Sequence, residues 1–240
     1  MLLALLLAAA PTVADANAAG MKLYQAKKFP EAIAQFKAGI ERATDQPSTK
    51  EQVAQTRALA LAHFNLACAM ALARKAGKTC EVDAYLPSIW EHVLEAIRLD
   101  PNRLEKALTD GDLKELRTTL QFQSLLGLSP SRDSDLPKLL TAVTWYSAGE
   151  GASGSTRSMT FSAKGAMELT LRLPDERGFP IDIRTFKGTW TITGRTVKVM
   201  FAQPVPGLNT KELSFTVDPD GSLAAGQWSR FSDSPSECDA

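Results

Sequence analysis

The segment Ser129-Pro130-Ser131-Arg132-Asp133-Ser134-Asp135 divides the chain into two kinds of sequence. It is polar apart from one proline, so it has no apolar face to bury and reads as a linker over residues 129–135. Upstream, from Asn17 to Leu128, the chain is rich in Ala, Leu, Lys and Glu, with apolar residues at helical spacing. Downstream, from Leu136 to Ala240, Thr, Val, Phe, Trp and Gly take over and apolar residues alternate with a period of two. The expectation is an α+β protein in two domains, with helical hairpins over 17–128 and an antiparallel β domain, barrel or sandwich, over 136–240.

Composition narrows the function. At 240 residues the chain accommodates one large domain or two modest ones, and 44% hydrophobic with 22% charged residues is ordinary for a folded soluble protein. Its 27 basic and 27 acidic residues cancel, so no basic excess neutralises phosphates and nucleic acid is a poor partner. Only 2 His and 3 Cys are present, which leaves little material for metal sites or nucleophilic catalysis.

Residues 1–16 read as a signal peptide. Met1 to Ala10 is almost entirely Leu and Ala, close to the length of a signal core and too short for the roughly 20 residues a membrane span needs. Ala14-Asp15-Ala16 offers a small-x-small cleavage site that makes Asn17 the mature N-terminus. No basic n-region precedes the core. No cysteine follows the site to take a lipid, and no later run reads as membrane-spanning. The expected location is periplasmic or secreted, without stable membrane insertion.

In the helical half, Gly20, Leu23, Tyr24, Phe29, Ala32, Ile33, Phe36 and Ile40 form one pattern, with Phe29-Pro30-Glu31 marking a turn between helices and Pro30 tolerated in the first helical turn. A second copy begins at Asn65-Leu66-Ala67-Cys68 and closes at Val93, Ala96, Ile97 and Leu99-Asp100-Pro101. An insertion runs from Arg74 to Ala84, and a third helix is expected from Arg103 to Leu126. This Gly…Phe…Ala…Phe spacing resembles the tetratricopeptide repeat, a helical hairpin of about 34 residues. The segments Asp112–Arg117 and Phe122–Leu126 resemble the cap that closes bacterial arrays of that repeat. The resemblance implies a concave face, lined by first helices, that holds a peptide or protein segment. Lys22, Gln25 and Asn65 are the candidate peptide-binding residues, since long or amide side chains there reach an extended backbone. The alternative is that these helices only scaffold.

In the β half, Met159 with Phe161, Met167 with Leu169, Leu171 and Leu173, Val197 with Val199 and Phe201, and Leu213 with Phe215 and Val217 each share a face. Thr193-Gly194-Arg195 and Asp218-Pro219-Asp220-Gly221 are turns between such runs. With Val143 and Trp145 ahead and Leu223, Trp228 and Phe231 behind, about seven or eight strands are expected. Gly188-Thr189-Trp190-Thr191-Ile192-Thr193-Gly194 before Val197-Lys198-Val199 is similar to a strand pair of lipocalin-like barrels of bacterial envelope proteins. That resemblance implies a barrel holding a small apolar ligand beneath Trp190 and Trp228. The alternative is that Trp145, Trp190, Trp228, Phe161, Phe201 and Phe215 fill the interior themselves.

Gly149, Gly151 and Gly154 spell G-x-G-x-x-G, but the residues after them read as a strand rather than the helix a pyrophosphate requires. His63 and His92 fall within helices and lack neighbouring Cys or carboxylate ligands at metal-site spacing, so structural roles are expected. No Gly-x-Ser-x-Gly elbow is present, and Asp175, Glu176, Asp182 and Asp220 read as turn residues. Neither cofactor nor metal is expected. Cys68 reads as a small buried residue. Cys80, in the inserted loop, and Cys238, near the C-terminus, are the favoured disulfide pair among the three possible, closing a loop of about 160 residues worth on the order of 3–5 kcal/mol. The function expected is a non-catalytic envelope adaptor or scaffold that binds a protein or peptide through its helices, and the alternative is a carrier of a small apolar ligand in the barrel.

Overall fold

Thr12 opens the first helix through a reciprocal cap: the Asp15 amide donates to Thr12 Oγ1 at 3.2 Å and the Thr12 amide to Asp15 Oδ2 at 2.9 Å. A computed structural model describes residues 12–44, 52–148, 156–174, 180–205, 210–226 and 228–235. It divides into two compact units, Met1–Lys114 and Glu115–Ala240.

The first unit contains α1 (Val13–Gln25), α2 (Phe29–Thr44), α3 (Gln52–Lys75), the short α4 (Thr79–Val82), α5 (Leu86–Leu99) and α6 (Arg103–Thr109). Helix α1 packs on α2 and α3, α2 on α3, and α3 on α5. Small residues permit this spacing. A Cβ on Gly20 would lie 2.5 Å from the Phe36 ring, and one on Gly39 2.8 Å from Ala16 Cβ. Phe36, Ala32, Ala60, Leu66, Ala67 and Ala73 are fully buried along these contacts. Of the expected leader, residues 1–11 lie outside the described residues. The remainder forms the cap and first turn of α1, where Val13 and Ala16 are buried.

Two sequence expectations change here. Over Val53–Lys75, α3 is long and apolar enough to cross a membrane, contrary to the reading that no later run is; 61% of its apolar window is buried, as suits a central packed helix. The single helix expected from Arg103 to Leu126 is broken. Asp110 turns the chain by accepting from the Asp112 amide at 2.9 Å, and Thr119 caps a new helix by accepting from the Phe122 amide at 3.3 Å.

The second unit begins with a 3₁₀ turn (Leu116–Thr118), α7 (Leu120–Leu125), a second 3₁₀ turn (Asp133–Asp135) and α8 (Leu136–Ala142). Eight strands follow: β1 (Trp145–Ala148), β2 (Thr156–Phe161), β3 (Ala166–Pro174), β4 (Pro180–Thr193), β5 (Thr196–Phe201), β6 (Glu212–Val217), β7 (Leu223–Ala225) and β8 (Trp228–Phe231). Each pairs antiparallel with the next in sequence order. The sheet curls until Tyr146 and Ser232 exchange backbone hydrogen bonds of 2.7 and 2.8 Å, which nearly closes an eight-stranded barrel. Gly188 on the long strand β4 lets the β5 backbone approach closely, since a Cβ there would lie 2.5 Å from the Met200 carbonyl oxygen.

The alternation read from the sequence holds: Met159, Leu169, Val197, Val199 and Phe215 all point inward and are buried. The segment expected as a linker instead belongs to this unit. Arg195, in the β4–β5 turn, donates to the Pro130 carbonyl at 2.8 Å and to Asp133 at 2.7 Å, and the Ser129 amide donates to Asp135 at 2.9 Å. Polar side chains that cannot build a core here satisfy one another and an arginine. The division accordingly falls after Lys114, ahead of the expected boundary at 128.

Candidate functional site

Up-and-down connection places the β2–β3, β4–β5 and β6–β7 turns at one end of the barrel, and α8 enters at that end. Leu136, Leu139 and Leu140 of α8, with Val143 behind it, are buried in the barrel core, and the Trp145 indole donates to the Leu140 carbonyl at 3.4 Å. Leu120 and Pro130 press on Gly221 of the β6–β7 turn, where a Cβ would lie 2.6 Å from Leu120 Cδ1. This end is plugged. The interior from that end to its middle is filled as well, with Met159, Leu169, Val197, Val199, Phe215, Leu223 and Phe231 at most 1% exposed. The site expected beneath Trp190 and Trp228 is therefore corrected at its described half. Trp190 packs edge-on against Phe161 at 5.3 Å and donates to the Ser162 carbonyl at 2.9 Å, and Phe161 and Val199 occupy the space below it. The Trp228 side chain lies outside the described residues.

The opposite end differs. There Leu171, Leu213 and Ala225 keep 7–8% exposure. Two polar groups join these apolar residues on the inward face: Ser147, opposite Arg157 in the β1–β2 pairing, and Arg157, opposite Leu171 in the β2–β3 pairing. Ser147 donates to the Ser229 carbonyl at 3.1 Å, and Arg157 holds its Nη1 away from solvent. Arg184, opposite Leu171 on β4, is exposed and paired with Asp182 at 2.5 Å. Arg157 was legible in principle, because alternation with Met159 and Phe161 places it on their face. Sequence reasoning overlooked it by following apolar residues alone.

In the helical unit, Lys22 and Gln25 lie exposed on α1. Asn65 on α3 donates its side-chain amide to Asn17 on α1 at 2.8 Å, so it ties two helices together. Near them, the Tyr24 hydroxyl donates to Asp112. Burial and the adjoining carboxylate push that hydroxyl's pKa up. Cys68 Sγ and carboxylate oxygens of Asp110 and Asp112 lie within 4.8 Å of one another. Burial, then the two aspartates, raises the Cys68 thiol's pKa, which keeps it protonated and inert.

His63 on α3 and His92 on α5 approach one another with Nδ1 atoms 3.1 Å apart. The ring centroids are 5.2 Å apart and tilted by 43°. Burial lowers the pKa of both; that of His92 reaches about 4, helped by His63 and Lys37 and opposed by Glu95. Both imidazoles are therefore neutral near pH 7, and one donates its Nδ1 proton to the other. Nothing in a 29-residue separation announces this convergence.

Cys68 is a free buried thiol and Cys80 is disulfide-bonded. Cys238, its expected partner, lies outside the described residues, as do Gly149, Gly151, Gly154, Asp175 and Glu176. Asp220 accepts from the Ser222 amide at 2.9 Å, a turn role as expected.

No protein-family model matches the chain, and no curated protein does. Among solved structures it is similar to a lipocalin-like protein from Bacteroides uniformis ATCC 8492, at 15% sequence identity and a TM-score of 0.24, over 38% of this chain and 93% of that chain. So low a score carries no argument, and the barrel rests on its own strand order and closure. None of these comparisons supports the tetratricopeptide resemblance.

Proposed function

We propose that this protein is a non-catalytic binding protein whose barrel takes a small apolar ligand at the end opposite α8. The observation behind this is a difference along the barrel interior: α8 plugs one end, the middle is filled, and at the other Leu171, Leu213 and Ala225 keep 7–8% exposure beside more deeply buried Phe201 and Val205. A ligand seated there replaces water against apolar walls, at roughly 25 cal/mol per Å² of surface covered. Walls buried to this degree leave little room, which favours a ligand of few heavy atoms. The adaptor reading has less behind it, since Asn65 is committed to Asn17 and only Lys22 and Gln25 stay available to a peptide. Export fits the disulfide-bonded state of Cys80, because such bonds persist in oxidising compartments.

The test is binding of an apolar naphthylamine fluorophore to the full chain and to Ala225→Trp, with near-UV circular dichroism as the fold control. Saturable binding that disappears in a folded Ala225→Trp supports the carrier. Binding that persists undiminished in that variant, or none in the wild type, overturns it.

A further inference from the structure

We infer that His63 and His92 form a binding site for a late first-row divalent metal ion such as Zn²⁺, with Glu95 as its third ligand. This site is independent of the barrel. The chain has 2 histidines among 240 residues, and the fold brings both to one place, with their Nδ1 atoms 3.1 Å apart. Two imidazole nitrogens bound to one Zn²⁺ at about 2.0–2.1 Å in tetrahedral geometry lie roughly 3.3 Å from each other. The observed separation is within a few tenths of an ångström of that. On binding, the donor imidazole carries its proton on Nε2 instead of Nδ1, and rotation of each ring about its Cβ–Cγ bond turns the two Nδ1 lone pairs toward a shared point.

Glu95 follows His92 by three positions on α5, which puts both on one face of the helix. Its carboxylate now accepts from Arg98 at 2.6 and 2.7 Å and is not gathered with the two rings, so binding moves it away from an exposed pair whose loss costs little. His63 is buried and His92 half-buried, so the pair borders solvent and water completes the coordination. The charged groups that face the pair are Glu95, Arg98 and, from α2, Lys37. Two cations against one anion disfavour an oxygen-seeking ion such as Ca²⁺ or Mg²⁺, which needs several carboxylates. An ion that prefers imidazole nitrogen is selected instead.

The experiment uses the full chain, stripped with chelator and dialysed, titrated with Zn²⁺ alone. Calorimetry gives stoichiometry and affinity, and the side-chain ¹⁵N resonances of the two histidines report where the ion binds. The expected result is a single site, displacement of both histidine signals in the wild type, and affinity weaker by about tenfold or more in His63→Gln and in His92→Gln. Glu95→Gln is expected to weaken it by a smaller factor. The wild-type signals decide even where a variant fails to fold. Histidine resonances unmoved by excess Zn²⁺, or binding unchanged in a folded double variant, overturn the site and leave the pair as a shared hydrogen bond. Unchanged affinity in Glu95→Gln removes Glu95 from it.

Discussion

Lowering the pH from about 7.5 to about 5 should destabilise the helical unit through its histidine pair, and the size of that loss follows from the structure. Imidazole is the side chain whose ordinary titration falls in that range, and this chain has 2. His92 is pushed down from 6.5 to about 4, chiefly by burial, and His63 moves the same way. A histidine that titrates lower when folded leaves the unfolded chain holding more protons between the two values. Its contribution is therefore fully present above about 6.5 and is lost as pH falls toward about 4. At about pH 5 the unfolded imidazole is charged and the folded one is not, a difference of about 2 kcal/mol at roughly 1.36 kcal/mol per pH unit. Solvent reaching half-buried His92 reduces this to about 1–2 kcal/mol.

Urea unfolding of the full chain in chelator, followed by far-UV circular dichroism at both pH values, measures the loss. His92→Gln isolates it, because glutamine keeps a hydrogen-bonding side chain that does not titrate. Other groups act elsewhere or cancel in that comparison. Asp15, Glu95, Asp135 and Asp220 are held below their ordinary values by hydrogen bonds, so their contributions are lost only below about pH 4.5. Burial raises Asp233, which penalises its charged form and so works in the opposite sense, equally in both proteins. The expected outcome is that His92→Gln abolishes at least half of the wild-type loss. Histidine resonances titrating near 6.5, or equal pH dependence in the two proteins, would refute the reasoning.

Arg195 donates to the Val217, Asp218 and Pro130 carbonyls and to Asp133, so Arg195→Ala should cost about 1–3 kcal/mol and speed protease cutting within residues 129–135, read by mass spectrometry of a limited digest. Gly20→Ala forces a methyl group against the buried Phe36 ring, and urea unfolding should show a loss of about 1–3 kcal/mol. Phe215→Ala empties the centre of the barrel next to Phe231, for a loss of about 3–5 kcal/mol by the same assay. A chain beginning at Asn17 lacks the Thr12–Asp15 cap and buried Val13 and Ala16; it should unfold at lower urea than one beginning at Pro11, by about 1–3 kcal/mol.

The barrel was legible because its rule is local. On β5 and β6, Val197, Val199, Phe201, Leu213, Phe215 and Val217 alternate with exposed residues, and the alternation alone fixes which side faces inward. The helical half was legible as helices but not in its breaks. Asp110 and Thr119 end and restart the chain by side-chain hydrogen bonds, and either residue also fits within a helix. The apparent linker misled for a related reason. Polarity shows that 129–135 cannot build a core, yet does not reveal that Arg195, some 60 residues later in the chain, will bind it.

The two candidate sites show why fold and function differ in legibility. Each is a polar group beside apolar packing: Arg157 on the inward face of a barrel, and two imidazoles where α3 meets α5, with Glu95, Arg98 and Lys37 facing them. A pattern search treats such residues as exceptions to the period that reveals the fold. For Arg157 the exception could be located, because strand alternation carries its position across the sheet. For the histidines it could not, because a helical period says which face a residue lies on and nothing about which helix meets that face. The meeting of α3 with α5 is a tertiary fact, set by Ile89, Val93 and Ala96 packing against an alanine-rich helix. Chemistry that needs two elements is therefore decided by apolar residues that take no part in it. Overfilling that contact, as by Ala96→Leu, should separate the imidazoles and raise the pKa of His92 toward 6.5 without touching either ring, a shift the histidine resonances read directly.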